Sequence, residues 1–209
     1  LNTALMAAEC GIHALIVQDL GLAKLLREHL PNMPIHASTQ MSVHSPSAID
    51  FLKEMGFSRV VPAREMSRTE LSEFCKAAKE KEIEVEVFVH GALCMCLSGQ
   101  CYFSAYLGGR SANRGLCAGT CRLPFKAQGG TGYDLSLKDL SLINFLPDLS
   151  EMGVVSFKIE GRMKRPEYVA SATAAARQMV DEGRVDSKTL SLLEQVFSRD
   201  GFTSGYYEG

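Results

Sequence analysis

EIEVEVFVHG, residues 82–91, alternates charged and apolar side chains through Val87 and stays apolar to Val89. A period of two marks a strand with one face buried, and no other run in the chain alternates as strongly. Working outward, the same kind of element recurs on both sides at fairly even spacing. Upstream, ALIVQD (14–19), PIHAST (34–39) and FSRVVPAR (57–64) read as strands. Between them lie helical stretches at 19–30, with Leu22, Leu25, Leu26 and Leu30 on one side, and at 45–56, with Ser45 as N-cap, Pro46 at its first position and Gly56 closing it. A third helix over 67–81 opens with a capping box, Ser67 and Glu70.

Downstream the rhythm breaks. Residues 92–132 are rich in cysteine and glycine, with little periodic hydrophobicity, and read as an insertion at the end of the fourth strand. The pattern resumes with a helical run over 137–153 interrupted by Pro147, a fifth strand VVSFKIEG (154–161), an alanine-rich helix over 166–182 and a last helix near 187–197. The tail DGFTSGYYEG (200–209) follows. Alternation of strand and helix predicts an α/β fold with a parallel sheet. Cycles of this length fit either a (β/α) barrel or an open doubly wound sheet. Five strands, in a chain that starts without methionine, point to an incomplete TIM-type barrel. Its parts would be residues 1–91, the Cys-rich insertion 92–132, and residues 133–209 with the last strand and the C-terminal helices.

A chain of 209 residues, 46% hydrophobic and 22% charged, has enough apolar material to bury a core of one domain or slightly more. A net charge of −2 gives no global basic field, so a polyanion would have to be held by a local patch. No apolar run reaches the roughly 20 residues that span a bilayer, and the first residues lack the pattern of a signal peptide. The expected location is cytoplasmic, without membrane association.

In parallel α/β folds working groups stand at the carboxyl ends of strands. Here those ends carry Gln18 and Asp19; His36, Ser38, Thr39 and Gln40; Arg64 and Glu65; Glu86 and His90; Lys158, Glu160 and Arg162. HASTQ sets polar groups into a strand otherwise buried, and KIEGRMK interleaves Lys158 and Glu160, so His36, Gln40, Glu86, His90, Lys158 and Glu160 are the catalytic candidates. Neither a G-x-S-x-G elbow nor an H-E-x-x-H helix occurs, and nothing marks a nucleophile for a peptidase.

Five of the seven cysteines fall within 94–121, spaced Cys94-x6-Cys101-x15-Cys117-x3-Cys121 with Cys96 as a spare. A reducing compartment disfavours disulfides, and four thiolates suit either zinc or an iron-sulfur cluster; free or redox-switching thiols are the third option. Cys10 and Cys75 sit in helical surroundings and read as small buried hydrophobes. Around the loop, Arg110, Arg114, Arg122 and Lys126, with Arg162, Lys164 and Arg165 beyond the fifth strand, form a basic rim suited to carboxylates and phosphates. Tyr102, Phe103 and Tyr106 are placed to stack on an unpaired base or to pack the loop itself.

EVFVHGALCMCLSGQCYFS (86–104) resembles the signature of the U32 peptidase family, and ASTQMSVH, GRSANRGLCAGTCRLPF, SLKDLSLI and KIEGRMKRPEYVA are similar to its other recurrent segments. The resemblance runs over essentially the whole chain. It implies a TIM-type barrel whose first part is absent here. The family is named for collagenase-like proteolysis, yet members resemble oxygen-independent hydroxylases with a four-iron, four-sulfur cluster, acting with prephenate on transfer or ribosomal RNA bases, or on the ubiquinone ring. The tail is most similar to the ribosomal RNA branch. By motif the resemblance implies Cys94, Cys101, Cys117 and Cys121 as ligands, zinc being the alternative metal. Some ubiquinone-branch members carry a cysteine after the KDL segment, where this chain has Ser141. The expected function is RNA hydroxylation, with RNA and prephenate as partners and Arg110, Arg114, Arg122, Arg162 and Lys164 binding substrate. A peptidase is the alternative, and a non-catalytic metal module completed by a partner chain or dimer is the third reading.

Overall fold

A computed structural model describes residues 1–130, 132–162 and 164–209; Thr131, in the insertion, and Met163, in the KIEGRMK run, lie outside the described residues. In chain order the elements are α1 (Asn2–Glu9), β1 (Leu15–Val17), α2 (Leu20–His29), β2 (Ile35–Ala37), α3 (Ala48–Glu54), β3 (Phe57–Val60), α4 (Arg68–Glu80) and β4 (Glu84–Ala92). After the insertion, which contains α5 (Phe103–Gly108), come β5 (Asp139–Ser141), α6 (Leu146–Glu151), β6 (Val154–Ile159), α7 (Pro166–Glu182), α8 (Ser187–Val196) and β7 (Phe202–Thr203).

The strands β1, β2, β3, β4 and β6 lie side by side in sequence order, every pair parallel. Antiparallel β5 joins the far end of β4, pairing His90 with Ser141 and Ala92 with Asp139, and β7 runs parallel to β5. His90 faces β6 on one edge and β5 on the other, so β5 continues along the edge that β3 occupies lower down. The result is a mostly parallel α/β sheet with a two-stranded arm over one end. Among the described residues β1 pairs only with β2, and β6 only with β4, so the sheet does not close on itself.

Alternation decides which face is apolar. Val17, Ile35, Ala37, Phe57, Val60, Val85, Val87, Val89 and Val154 are buried with Leu26 of α2, Leu52 of α3, Phe74 and Ala78 of α4, Leu149 of α6 and Ala172, Ala175 and Met179 of α7. Burial of each large apolar side chain contributes about 1.5–3 kcal/mol, so this layer dominates stability. The capping box of α4 is formed as expected, Ser67 and Glu70 bonding reciprocally, and α7 starts on Pro166. No described helix is long and apolar enough to cross a membrane.

Three local expectations change. The helix expected over 45–56 begins at Ala48, because Ser45 and Ser47 bond to each other and hold Pro46 in a preceding turn. The run over 137–153 is not helical throughout: its first part is β5, fixed because the buried Asp139 carboxylate accepts from the Arg199 backbone N–H at 2.9 Å and guanidinium at 2.5 Å. Pro147 then stands in the first turn of α6 rather than interrupting a longer helix. Cys75 is buried, but Cys10 is exposed at the end of α1.

Candidate functional site

The sheet face opposite the helices carries charge. Register places His36 beside Arg59 and Arg59 beside Glu84, and alternation adds Glu86. The Arg59 guanidinium donates to Glu84 Oε2 at 2.6–2.8 Å and to Glu86 Oε2 at 3.2 Å. Glu86 also accepts from Lys158 Nζ at 2.5 Å and Ser156 Oγ at 2.9 Å. Burial pushes the Glu86 carboxyl up, but Lys158, Ser156 and Arg59 outweigh it and hold the group below its ordinary range. Burial, then the Arg59 charge, lowers the pKa of His36, favouring neutral imidazole at neutral pH. Three of the catalytic candidates, His36, Glu86 and Lys158, therefore share one polar network.

The other three stand apart from it. Gln40 lies in a 3-10 turn, Thr39–Met41, beyond β2, its N–H donating to Ser38 Oγ at 3.1 Å. Glu160 lies past the end of β6, its N–H donating to the His90 carbonyl at 2.9 Å. His90 is fully buried at the join of β4, β5 and β6. Its ring packs against Tyr168 and Phe202, neither ring nitrogen has a hydrogen-bond partner among the described residues, and burial lowers its pKa to about 4.

The cysteine loop leaves β4 at the carboxyl end of the sheet. It is docked against the turn after β2: Ser42 Oγ donates to the Ser98 carbonyl, and Gln100 Nε2 to Ser42 Oγ at 2.9 Å. Ser98, buried, donates through N–H and hydroxyl to Glu65 at 3.0 Å, while Arg64 bonds to Ser98 Oγ and to the Ala92 carbonyl. Gly99 has φ of +78°, and a Cβ there would sit 2.1 Å from the Gln40 carbonyl oxygen, so only glycine permits this approach.

Cys94, Cys96, Cys101, Cys117 and Cys121 are free thiols. Burial is the main cause of the raised pKa of Cys121, with Arg122 opposing it and Cys94, Cys117 and Cys101 adding to it. The charges of the other three expected ligands are thus felt at Cys121. A backbone amide, Gly119 N–H, is already directed at Cys117 Sγ at 3.3 Å, as thiolate sites require. Soft sulfur donors and amides aimed at sulfur fit an iron-sulfur cluster or zinc. Among the described residues no three Cys, His, Asp or Glu side chains are close enough to hold one ion.

Of the expected substrate-binding cations, Arg110 and Arg114 are exposed on the loop. Arg122 is held inside, donating to Ser136 Oγ at 3.1 Å, the Leu137 carbonyl at 2.7 Å and the Leu93 carbonyl, which ties the loop's end to its start. Arg162 lies over Gly115, 3.5 Å from where a Cβ would be. Lys164 is placed over the rings of Tyr168 and Phe197. Of the loop aromatics, Phe103 stacks on Phe125 at 5.5 Å, whereas Tyr102 and Tyr106 are exposed.

Sequence reading missed Arg59, Asp139, Tyr168 and Arg199. Arg59 left a signal: an arginine at an inward position of FSRVV, next to a strand carrying Glu84 and Glu86 in the same alternation. Asp139 and Arg199 are 60 residues apart and left none.

A sequence model of peptidase family U32 matches residues 2–209. A 23S rRNA 5-hydroxycytidine synthase of Escherichia coli is 42% identical over 180 residues, covering 83% of this chain and 27% of the relative. The tRNA hydroxylation protein P1 of Bacillus subtilis is 36% identical over 222 residues, 96% of this chain and 51% of the relative. A collagenase of Porphyromonas gingivalis is 31% identical over 227 residues, 97% and 54% of the two chains. The chain spans about half, or less, of the length of these relatives.

Proposed function

This chain belongs to peptidase family U32, and we propose that it acts in hydroxylation of an RNA base, holding a four-iron, four-sulfur cluster on Cys94, Cys101, Cys117 and Cys121, with prephenate as co-substrate. The observation that carries the reading is that four free cysteines are supplied by one glycine-bent loop at the carboxyl end of a parallel sheet. Two relatives named for RNA hydroxylation support RNA as the substrate class. A bound cluster would supply one-electron transfer. The chain's own residues do the rest: exposed Arg110 and Arg114 meet phosphates, Tyr102 and Tyr106 offer faces on which an extruded base stacks, and the Arg59–Glu86–Lys158 network fixes the sheet face below. We further read the sheet as part of a (β/α) barrel, which the sequence-order strand arrangement supports. The free edges of β1 and β6 are where further strands would add, from a partner chain or a second copy.

The collagenase relative favours a peptidase as the second reading. Ser98, whose hydroxyl bonds to Glu65 and Arg64, is only 1% exposed, so it is held as a docking contact and not presented to a peptide as a nucleophile. The test is to reconstitute the chain anaerobically with iron and sulfide, add prephenate and unmodified ribosomal RNA, and analyse digested nucleosides by mass spectrometry. A 16 Da gain on cytidine or uridine is expected, with gelatin and a generic peptide left intact. Cleavage of the peptide without RNA oxidation would replace this reading by the peptidase one.

A further inference from the structure

Beside the cysteine loop, Lys164, Arg165, Glu167 and Tyr168 at the start of α7, with Val196, Phe197 and Arg199 after α8, line a cavity of ≈ 790 Å³. That is the size of sites for small organic ligands. From this lining we propose that the cavity binds a small organic carboxylate, which makes it the co-substrate site of the reading above and so rests on that reading.

Four observations lead there. Arg165, Glu167 and Tyr168 at the N-terminus of α7 line the cavity, no side chain among the described residues caps that end, and an anion is stabilised at a helix N-terminus. Tyr168, 2% exposed, lines the same cavity and its hydroxyl has no hydrogen-bond partner among the described residues, an arrangement that is costly unless a ligand supplies one. Lys164 makes no ion pair within 4 Å among the described residues, and burial, then Arg199, lowers its pKa to about 8, as expected of a cation lacking its counter-charge. Finally, Phe197 and Tyr168, edge to face at 5.9 Å, give the cavity an apolar wall.

Charge selects the class. Lys164, Arg165 and Arg199 face Glu167, and Arg199 is already bonded to buried Asp139. One net positive charge remains, which suits one or two carboxylates and is too little for a run of phosphates. Arg162, two positions before Lys164, lies over Gly115, so the segment that leads into the cavity touches the cysteine loop.

The test is calorimetric titration of the chain with prephenate and phenylpyruvate, and with inorganic phosphate and a ribosomal RNA hairpin as the other arms. Tyr168→Phe, which removes only a hydroxyl, should weaken carboxylate binding roughly tenfold, and Lys164→Met, which keeps the stem, by at least about tenfold. Phosphate and the hairpin should bind equally to both variants and the parent. Unchanged carboxylate affinity in both variants, or a loss confined to the RNA arm, overturns the assignment. Carboxylate binding lost in the variants while the parent takes up no iron would sink the cluster reading and leave this site standing.

Discussion

Gly99→Ala will undock the cysteine loop from the turn after β2 and destabilise the fold by roughly 3 kcal/mol. Two costs combine. Alanine is strained at φ of +78°, and its methyl would lie 2.1 Å from the Gln40 carbonyl oxygen, 2.7 Å from the Gln40 carbonyl carbon and 2.9 Å from Ser42 Oγ. The nearest obstacle is backbone, which cannot swing aside as a flexible side chain does. Relief requires residues 97–101 to lift away, and with them go the Ser42 to Ser98 and Gln100 to Ser42 hydrogen bonds. Thiol labelling should then be faster at Cys94, Cys96 and Cys101, and the urea midpoint lower. Alanine at Gly109, where nothing lies within 4 Å, carries only the backbone penalty and serves as control. Parent-like labelling and midpoint in Gly99→Ala would contradict the docked loop.

Glu86→Ala is expected to cost about 3 kcal/mol, because it leaves Lys158 on the sheet without its counter-charge, while Arg59 keeps only Glu84. The Glu86 side chain is only 10% exposed, whereas Arg59 and Lys158 are 25% and 28% exposed, and their partial hydration keeps the figure near the lower end for buried pairs. The same network sets a pH dependence. The folded-state pKa of Glu86 lies below its unfolded value, so its stabilisation is fully present above the unfolded carboxylate pKa of about 4.3 and is lost as pH falls through the folded value. Urea denaturation as a function of pH should therefore show a fall in stability on acidification that is shallower in Glu86→Gln. Equal slopes in parent and variant would show that the carboxylate is not favourably held.

How much of this was legible in the sequence depends on range. Elements specified by local chemistry were read closely: α7 starts on Pro166 and ends at Glu182, and the Ser67 and Glu70 box starts α4 where expected. The alternation of residues 82–91 located β4 and the charge on one of its faces. What failed was fixed by distant partners. Leucines spaced through 137–153 mimic a helix, yet Asp139 is pulled into the arm by Arg199, and its neighbours pair with the end of β4. The cysteine loop was recognisable as an insertion with metal-type donors, but its docking depends on Gly99 meeting Gln40 some 60 positions earlier, which no spacing rule contains. Likewise His36, Glu86 and Lys158 were named as site candidates separately, and only strand register shows that Arg59 joins the first two.

The central claim is that Cys94, Cys101, Cys117 and Cys121 close on a single cluster. It is tested most directly by anaerobic iron and sulfide reconstitution of the chain and of each Cys→Ala variant, read by iron content and visible absorbance. The account predicts about four irons per chain in the parent, a loss of most iron and of the visible band in each of these four variants, and parent-like loading in Cys75→Ala and Cys10→Ala. A colourless parent, or variants at these four positions that load like the parent, would contradict it.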